Sequence, residues 1–314
     1  MKEYLGIILF SLTYIAIASQ AIGVYMTWDE DILTYILIHK LYFAFIAVLA
    51  VISHIRASFT NPGRISHENN IGVLEFYFST HKEYISKAEG LNNVYRHYFQ
   101  GIKRAMPPDH GESDHSEIES GDENIEYSRS TDIPDSQIEE INKEWKINLE
   151  RCKRCFVVRV PNTHHCSKCQ HCIMKMDHHC PWINNCVGLF NQKYFILFCY
   201  YCILGCAYAS YITSYYLIYL HRDIFLDSAV LISVYSVQIL TAVIFIIFNI
   251  FMLKDQWQTI STDTTLIDYK QGKIIEARSL SEVLFEVFGE SFSPLWFFPV
   301  DRSNRKRIKR RKRN

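Results

Sequence analysis

No sign of charge predominates in this chain of 314 residues: 33 Lys and Arg stand against 33 Asp and Glu. Mean hydropathy is −0.03, so the averages describe an ordinary soluble domain. What is missing locally says otherwise. Residues 4–28 contain no charged side chain, which is long enough to cross a bilayer. The run also lacks the short apolar core and small-residue cleavage site of a signal peptide, which excludes that reading. Basic residues are absent from the very short turn Asp29, Glu30 and Asp31, and the 220–225 link holds only Arg222. The ten cysteines are not scattered as in a disulfide framework, since seven fall between residues 152 and 186. That clustering excludes an oxidatively stapled domain and points to a reducing compartment.

Three further apolar runs follow the first, at residues 32–55, 194–219 and 226–253. As buried helices of a soluble protein, four such runs would leave little surface to keep the chain in solution. They are read instead as two transmembrane hairpins. Lys40 sits about two turns into the second run, close enough to the interface to snorkel. Basic residues gather after that run (Arg56, Arg64), before the third (Lys168, Lys175, Lys193) and after the fourth. By the positive-inside rule both termini and the cysteine-rich stretch are then cytosolic.

That stretch reads C-K-R-C, then H-H-C-S-K-C-Q-H-C, then D-H-H-C-P-W-I-N-N-C, with five of the thirteen histidines. Three C-x-x-C steps (Cys152–Cys155, Cys166–Cys169, Cys169–Cys172) have the spacing of zinc knuckles. If Cys152, Cys155, Cys166, Cys169, Cys172 and Cys186 all ligate with two histidines, two tetrahedral sites close and Cys180 is left over. Just before it stand Asp177, His178 and His179. A thiol needs a base near neutral pH, and the base works better when a third group orients it. Asp177, His178 and Cys180 supply carboxylate, imidazole and nucleophile in order, with His179 free for metal. A zinc knuckle that binds protein or nucleic acid, with Cys180 inert, is the competing reading of the spacing.

The run D-H-H-C-P-W-I-N-N-C-V-G-L-F-N, together with the zinc spacing, resembles the DHHC protein S-acyltransferases (palmitoyltransferases). The resemblance implies two interlaced structural Zn²⁺ sites, one of Cys152, Cys155, His165 and Cys172, the other of Cys166, Cys169, His179 and Cys186. It implies a catalytic set of Cys180, His178 and Asp177, with acyl-CoA as co-substrate. The family's Lys-Pro-x-Arg is replaced here by Arg159-Val160-Pro161-Asn162, so Arg159, Lys153 and Arg154 are the candidates for the CoA phosphates. Trp182 and Gly205 are the candidates beside the acyl chain. Asn61-Pro62-Gly63 stands where the family has Asp-Pro-Gly, which puts any charge-based contact there in doubt. Thr264-Thr265-Leu266-Ile267-Asp268 stands for Thr-Thr-x-Glu, with the acid one place late. Val287-Phe288-Gly289 and Trp296-Phe297-Phe298-Pro299 resemble the family's aromatic C-terminal segment.

Between these landmarks, residues 71–105 are rich in aromatics and read as amphipathic helices, either on the membrane surface or packed against the cytosolic domain. Residues 107–140 hold twelve acids and one Arg. Such a segment cannot bury enough apolar surface to offset chain entropy and is expected to be disordered. It ends in Ser136-x-x-Glu139, a capping box for a helix carrying Ile138, Ile141, Trp145 and Leu149. Residues 302–313 hold nine Lys or Arg, suited to an anionic leaflet.

The expected fold is an all-α polytopic membrane protein with four transmembrane helices and a small cytosolic two-zinc cysteine-rich domain between helices 2 and 3. Residues 4–55 form the first hairpin, 56–106 a cytosolic juxtamembrane segment, 107–140 the acidic insert and 141–190 the zinc domain. Residues 194–253 form the second hairpin and 254–314 the cytosolic C-terminal segment with its polybasic tail. The resemblance implies S-palmitoyl transfer to cysteines of membrane-associated proteins, in an endomembrane (ER or Golgi), with no nucleic acid involved. A membrane-anchored zinc scaffold without catalysis is the alternative.

Overall fold

The structure is a computed structural model. It describes residues 33–66, 135–145, 148–215, 229–272, 278–289 and 292–301, with single positions or short groups at 11, 14–15, 17–22, 24, 70, 72–74, 77 and 218. The expected first span (4–28) therefore lies largely outside the described residues. The 29–31 turn, the 220–225 link, residues 107–134 and the basic tail lie outside them altogether. The chain divides into two compact units, Met1–Arg64 with Asn162–Asn314, and Ile65–Pro161.

The larger unit is mostly helical. Helix α1 (Leu33–Phe59), helix α3 (Gln192–Tyr215) and helix α4 (Ala229–Thr262) contain three stretches long and apolar enough to cross a membrane: Leu37–Phe59, Gln192–Tyr215 and Ser233–Thr262. α1 runs on past residue 55 and α4 past residue 253, so both end in polar sequence beyond their apolar runs. α1 packs on α3 through Ile46, Leu49 and Ala50 against Leu197 and Tyr201. Some polar groups on these helices pair with one another. Gln238 Nε2 donates to Thr213 Oγ1 at 3.1 Å, and Gln20 Nε2 donates to the Gln238 carbonyl at 3.1 Å. Lys40, about two turns into the second apolar run, is buried at 7% exposure. After α4 come helix α5 (Leu266–Lys270), helix α6 (Leu280–Phe288) and a 3₁₀ turn (Pro294–Phe297). Val283 and Val287 of α6 pack on Ile260 of α4. Lys193 Nζ donates to the carbonyls of Leu295 (3.0 Å) and Val300 (3.1 Å), and Trp296 stacks on Phe288, which holds the C-terminal aromatic segment against α3 and α6.

Two antiparallel hairpins complete this unit: strand β4 (His164–Cys166) with β5 (His171–Ile173), and β6 (His178–Cys180) with β7 (Asn185–Val187). The two-residue strand β1 (Arg64–Ile65) spans the boundary between the units. The Asn61-Pro62-Gly63 turn works without a carboxylate. Asn61 Oδ1 accepts from the backbone N–H of Gly63 (2.9 Å) and Arg64 (2.8 Å), a task any carbonyl oxygen performs.

In the smaller unit, helix α2 (Asp135–Trp145) is followed by strands β2 (Glu150–Arg151) and β3 (Val158–Arg159), paired antiparallel. Two expectations are corrected here. The helix already begins at Asp135, so residues 135–140 are ordered and Ser136 lies inside the first turn instead of capping it. An acid in the first turn suits the positive end of the helix dipole, and Asp135 accepts from Arg151 Nε at 2.8 Å. Leu149 is buried but no longer helical. The Asn142 side chain pairs with both backbone groups of Leu149 (2.8 and 3.0 Å) and turns the chain into β2.

Candidate active site and metal centres

The two knuckles share one local design. In Cys152-Lys-Arg-Cys155, the Cys155 N–H points at Cys152 Sγ (3.5 Å) and the Phe156 N–H returns to the Cys152 carbonyl (2.8 Å). In Cys166-Ser-Lys-Cys169, the matching distances are 3.3 Å and 2.8 Å. Phe156 (φ 57°) and Gln170 (φ 58°) close the two turns in the left-handed region. N–H groups aimed at sulfur favour thiolate over thiol, the form a metal needs.

The hairpins supply the rest. His165 faces Cys172 across β4–β5, and His179 faces Cys186 across β6–β7. Each hairpin thus offers one imidazole and one thiol as a directly opposed pair. Two groups of four side chains could each hold a metal ion: Cys152, Cys155, His165 and Cys172, and Cys166, Cys169, His179 and Cys186. In the second group His179 Nδ1 lies 3.7, 3.4 and 3.6 Å from the sulfurs of Cys166, Cys169 and Cys186, and Cys169 and Cys186 are 3.4 Å apart. Cys180 belongs to neither group.

Strand alternation explains why neighbouring histidines part company. Side chains i and i+2 share a face, so His178 and Cys180 point one way and His179 the other. His178 Nδ1 donates to Asp177 Oδ2 at 2.8 Å, leaving Nε2 for the Cys180 thiol, to which the ring is also hydrogen-bonded. Burial alone would lower the imidazole pKa, but Asp177 and Cys180 outweigh it and raise it to about 9. Burial would likewise raise Asp177, but its bonds to His178, Leu266 and Thr259 hold the carboxyl below its ordinary range. Phe195 lies edge-on to the His178 ring, with centroids 5.5 Å apart.

Cys180 is 2% exposed and packed among Ala57, Ile183, Phe195, Phe198, Cys199 and Cys202. Three side chains that sequence reasoning passed over dock its hairpin on α1. Asn185 Nδ2 reaches the carbonyls of Ser58 (2.9 Å) and Thr60 (3.0 Å), satisfying the open end of that helix. Asn191 Nδ2 donates to Ala57 O (2.9 Å) and Cys186 O (2.7 Å). His54 Nε2 donates to the Trp182 carbonyl (3.1 Å), so its Nδ1 accepts from the Tyr14 hydroxyl (3.1 Å). Both asparagines stood in the recognisable run, but only the fold shows what they hold.

The remaining expected contacts are spread out. Trp182 sits in the turn after Cys180, beside Phe245 and Phe248 of α4. Gly205 faces α1, where a Cβ would meet Ile46 Cγ2 at 3.6 Å. In the smaller unit Lys153 and Arg154 are exposed on the knuckle, and Arg159 is paired with Glu150 across β2–β3. The late acid finds a place as well. Thr265 caps α5 and bonds the Asp268 carboxylate, whose other oxygen lies 2.9 Å from His164 Nε2.

Residues 146–273 match a family model described as DHHC palmitoyltransferase. The chain is 56% identical over 59 residues to Palmitoyltransferase ZDHHC16A of Danio rerio, covering 19% of this chain and 15% of that protein. It is 31% identical over 158 residues to Palmitoyltransferase ZDHHC3 of Rattus norvegicus, covering 48% and 52%. To Palmitoyltransferase ZDHHC15A of Danio rerio it is 33% identical over 157 residues, covering 48% and 47%. Each match thus spans about half the relative's length or less. The paired Cys/His groups and the Asp177, His178 and Cys180 constellation all lie inside this matched segment, which spans less than half of the chain and is similar to the DHHC palmitoyltransferases.

Proposed function

We propose that the protein is a protein S-palmitoyltransferase. It would take a long-chain acyl group from acyl-CoA onto Cys180 and pass it to cysteines of membrane-associated proteins. One observation carries the reading: Cys180, outside both metal groups, is bonded to an imidazole that a buried carboxylate holds. His178 takes the Cys180 proton, and the thiolate attacks the thioester carbonyl. CoA leaves as a thiol with a proton returned from His178, and the acyl chain stays on Cys180. A substrate thiol repeats the exchange with Cys180 as leaving group. One thioester replaces another in each step, so no energy source is needed, and ping-pong kinetics follow. The apolar surroundings of Cys180 suit a dry acyl chain.

Both Cys/His groups are assigned to structural Zn²⁺. Zn–S near 2.3 Å and Zn–N near 2.0 Å give tetrahedral edges of about 3.5–3.8 Å. The separations of 3.4–3.7 Å among Cys166, Cys169, His179 and Cys186 fit. Three thiolates and one imidazole close each site, and the metal supplies folding energy. The fuller layout of four spans with the zinc domain and both termini cytosolic, in an endomembrane, rests on the apolar runs and the basic residues around them. Incubation with labelled palmitoyl-CoA tests the reading: Cys180 becomes labelled and hydroxylamine removes the label. Absence of label on the zinc-loaded chain sinks it.

A further inference from the structure

The Asp177 carboxylate is saturated by donors from far along the chain. It is 2% exposed. Its Oδ2 accepts from His178 Nδ1 at 2.8 Å and from Gln256 Nε2 at 2.7 Å. Its Oδ1 accepts from Thr259 Oγ1 at 2.9 Å and from the Leu266 N–H at 3.1 Å. Gln256 and Thr259 stand one turn apart on α4 and so share a face. Directions are fixed by chemistry. An ionised carboxylate only accepts, so Gln256 must present its NH₂. Its Oε1 then faces the Gln192 amide, which donates at 3.1 Å from the first residue of α3. Thr259 has one proton for two acceptors, Asp177 Oδ1 at 2.9 Å and the Asp255 carbonyl at 3.2 Å. The charged and nearer oxygen takes it.

We infer that Gln256 and Thr259 are positioning residues that set the His178 ring against Cys180 by clamping the Asp177 carboxylate. The inference rests on the roles proposed above for Cys180, His178 and Asp177. Without the clamp the carboxylate can swing about its Cβ–Cγ bond, and the ring bonded to it follows. Proton transfer between His178 and Cys180 tolerates little of that, since about 1 Å of misplacement costs on the order of 100-fold in rate. The clamp exists because α4 extends past its apolar run as far as Thr262. The base is thus aimed by a helix whose other end lies in an apolar span.

Single-turnover self-acylation of the full zinc-loaded chain with labelled palmitoyl-CoA tests this. Thr259→Val keeps the shape without the hydroxyl, Gln256→Leu removes the amide, and Thr259→Ser restores the donor. Thr259→Val and Gln256→Leu each slow labelling about tenfold, the weight of one hydrogen bond to a charged group. Thr259→Ser stays within about twofold of wild type, and all three keep two zincs per chain. In an Asp177→Ala background the Val and Leu changes cost less than about twofold, because the group they act through is gone. Wild-type rates in Thr259→Val and Gln256→Leu overturn the inference. So do undiminished losses in the Asp177→Ala background, or zinc lost in step with rate, either of which marks a merely structural contact. A wild-type chain that takes no label on Cys180 sinks the parent reading and this inference together. Labelled wild type with unaffected variants sinks this one alone.

Discussion

Cys180 stands apart from the other six cysteines of its stretch because it belongs to neither Cys/His group. Cys180→Ser is expected to abolish self-acylation while metal analysis still finds two zincs per chain. A variant that loses zinc would make Cys180 a ligand. The neighbouring histidines separate the two functions further. His178→Ala removes the proposed base and is expected to slow labelling by about 10²–10⁴-fold with zinc retained. His179→Ala removes a proposed ligand facing Cys186 and is expected to release a zinc and unfold the hairpin, since metal binding and folding are coupled. Equal zinc loss in both variants would overturn the division.

Between elements, Gly188 marks a tight approach. A Cβ there would lie 2.6 Å from Pro62 O and 2.8 Å from Ile173 Cγ2, so the turn after α1 and the β4–β5 hairpin both press on it. Gly188→Ala forces backbone apart and is expected to cost about 1–3 kcal/mol, seen as a lower thermal midpoint of the detergent-solubilised protein. An unchanged midpoint would mean the loop yields freely. Gly205 has more room, with Ile46 as its neighbour at 3.6 Å. An extended C16 chain is roughly 20 Å long, about thirteen residues of helix. Running from Cys180 along α3, its tip would therefore reach the neighbourhood of Gly205. Gly205→Phe should shift preference from palmitoyl-CoA toward myristoyl-CoA with zinc unchanged. An unaltered chain-length profile would leave this glycine a packing residue between α1 and α3.

For the larger unit as a whole, a buried ion network ties the loop after β5 to α4 and α6. Lys175 Nζ reaches Glu286 (2.6 Å) and Asp263 (3.4 Å), and Arg278 pairs with Asp263 (2.6 Å) and Glu286 (3.0 Å). Burial would raise the Glu286 pKa, but Lys175 and Arg278 outweigh it and lower it from 4.5 to about 2. Asp263 is lowered as well: burial would raise it, but its bond to Arg278 and the Lys175 charge prevail. Folded values below the unfolded ones mean that this stability is complete above about pH 5 and is lost as pH falls toward 2. Glu286→Gln should accordingly cost about 3 kcal/mol of stability at pH 7, as for a broken buried pair, seen as a lower thermal midpoint. Its deficit against wild type should shrink in acid. A deficit independent of pH would place the loss in packing.

The sequence by itself determined whatever depends on neighbours a few residues apart. Apolar runs gave three of the described helices their place, and C-x-x-C spacing gave the knuckles. The Asp177-to-Cys180 order, read with a two-residue strand period, already separates His178 from His179. Local signals also misled where one of several short-range options had to win, as when Asp135 opened α2 ahead of Ser136, or Asn142 pulled Leu149 out of the helix. Only the tertiary structure decided what holds the Asp177 carboxylate beside His178. Gln256 and Thr259 lie 79 and 82 residues beyond Asp177, and nothing in their local sequence sets them apart from any polar pair at the end of a helix. The same holds for Asn185 and Asn191 on the end of α1, and for Lys175 between Asp263 and Glu286. A buried carboxylate must be satisfied by whichever donors the packing of helices brings to it, and that packing is a property of the folded chain.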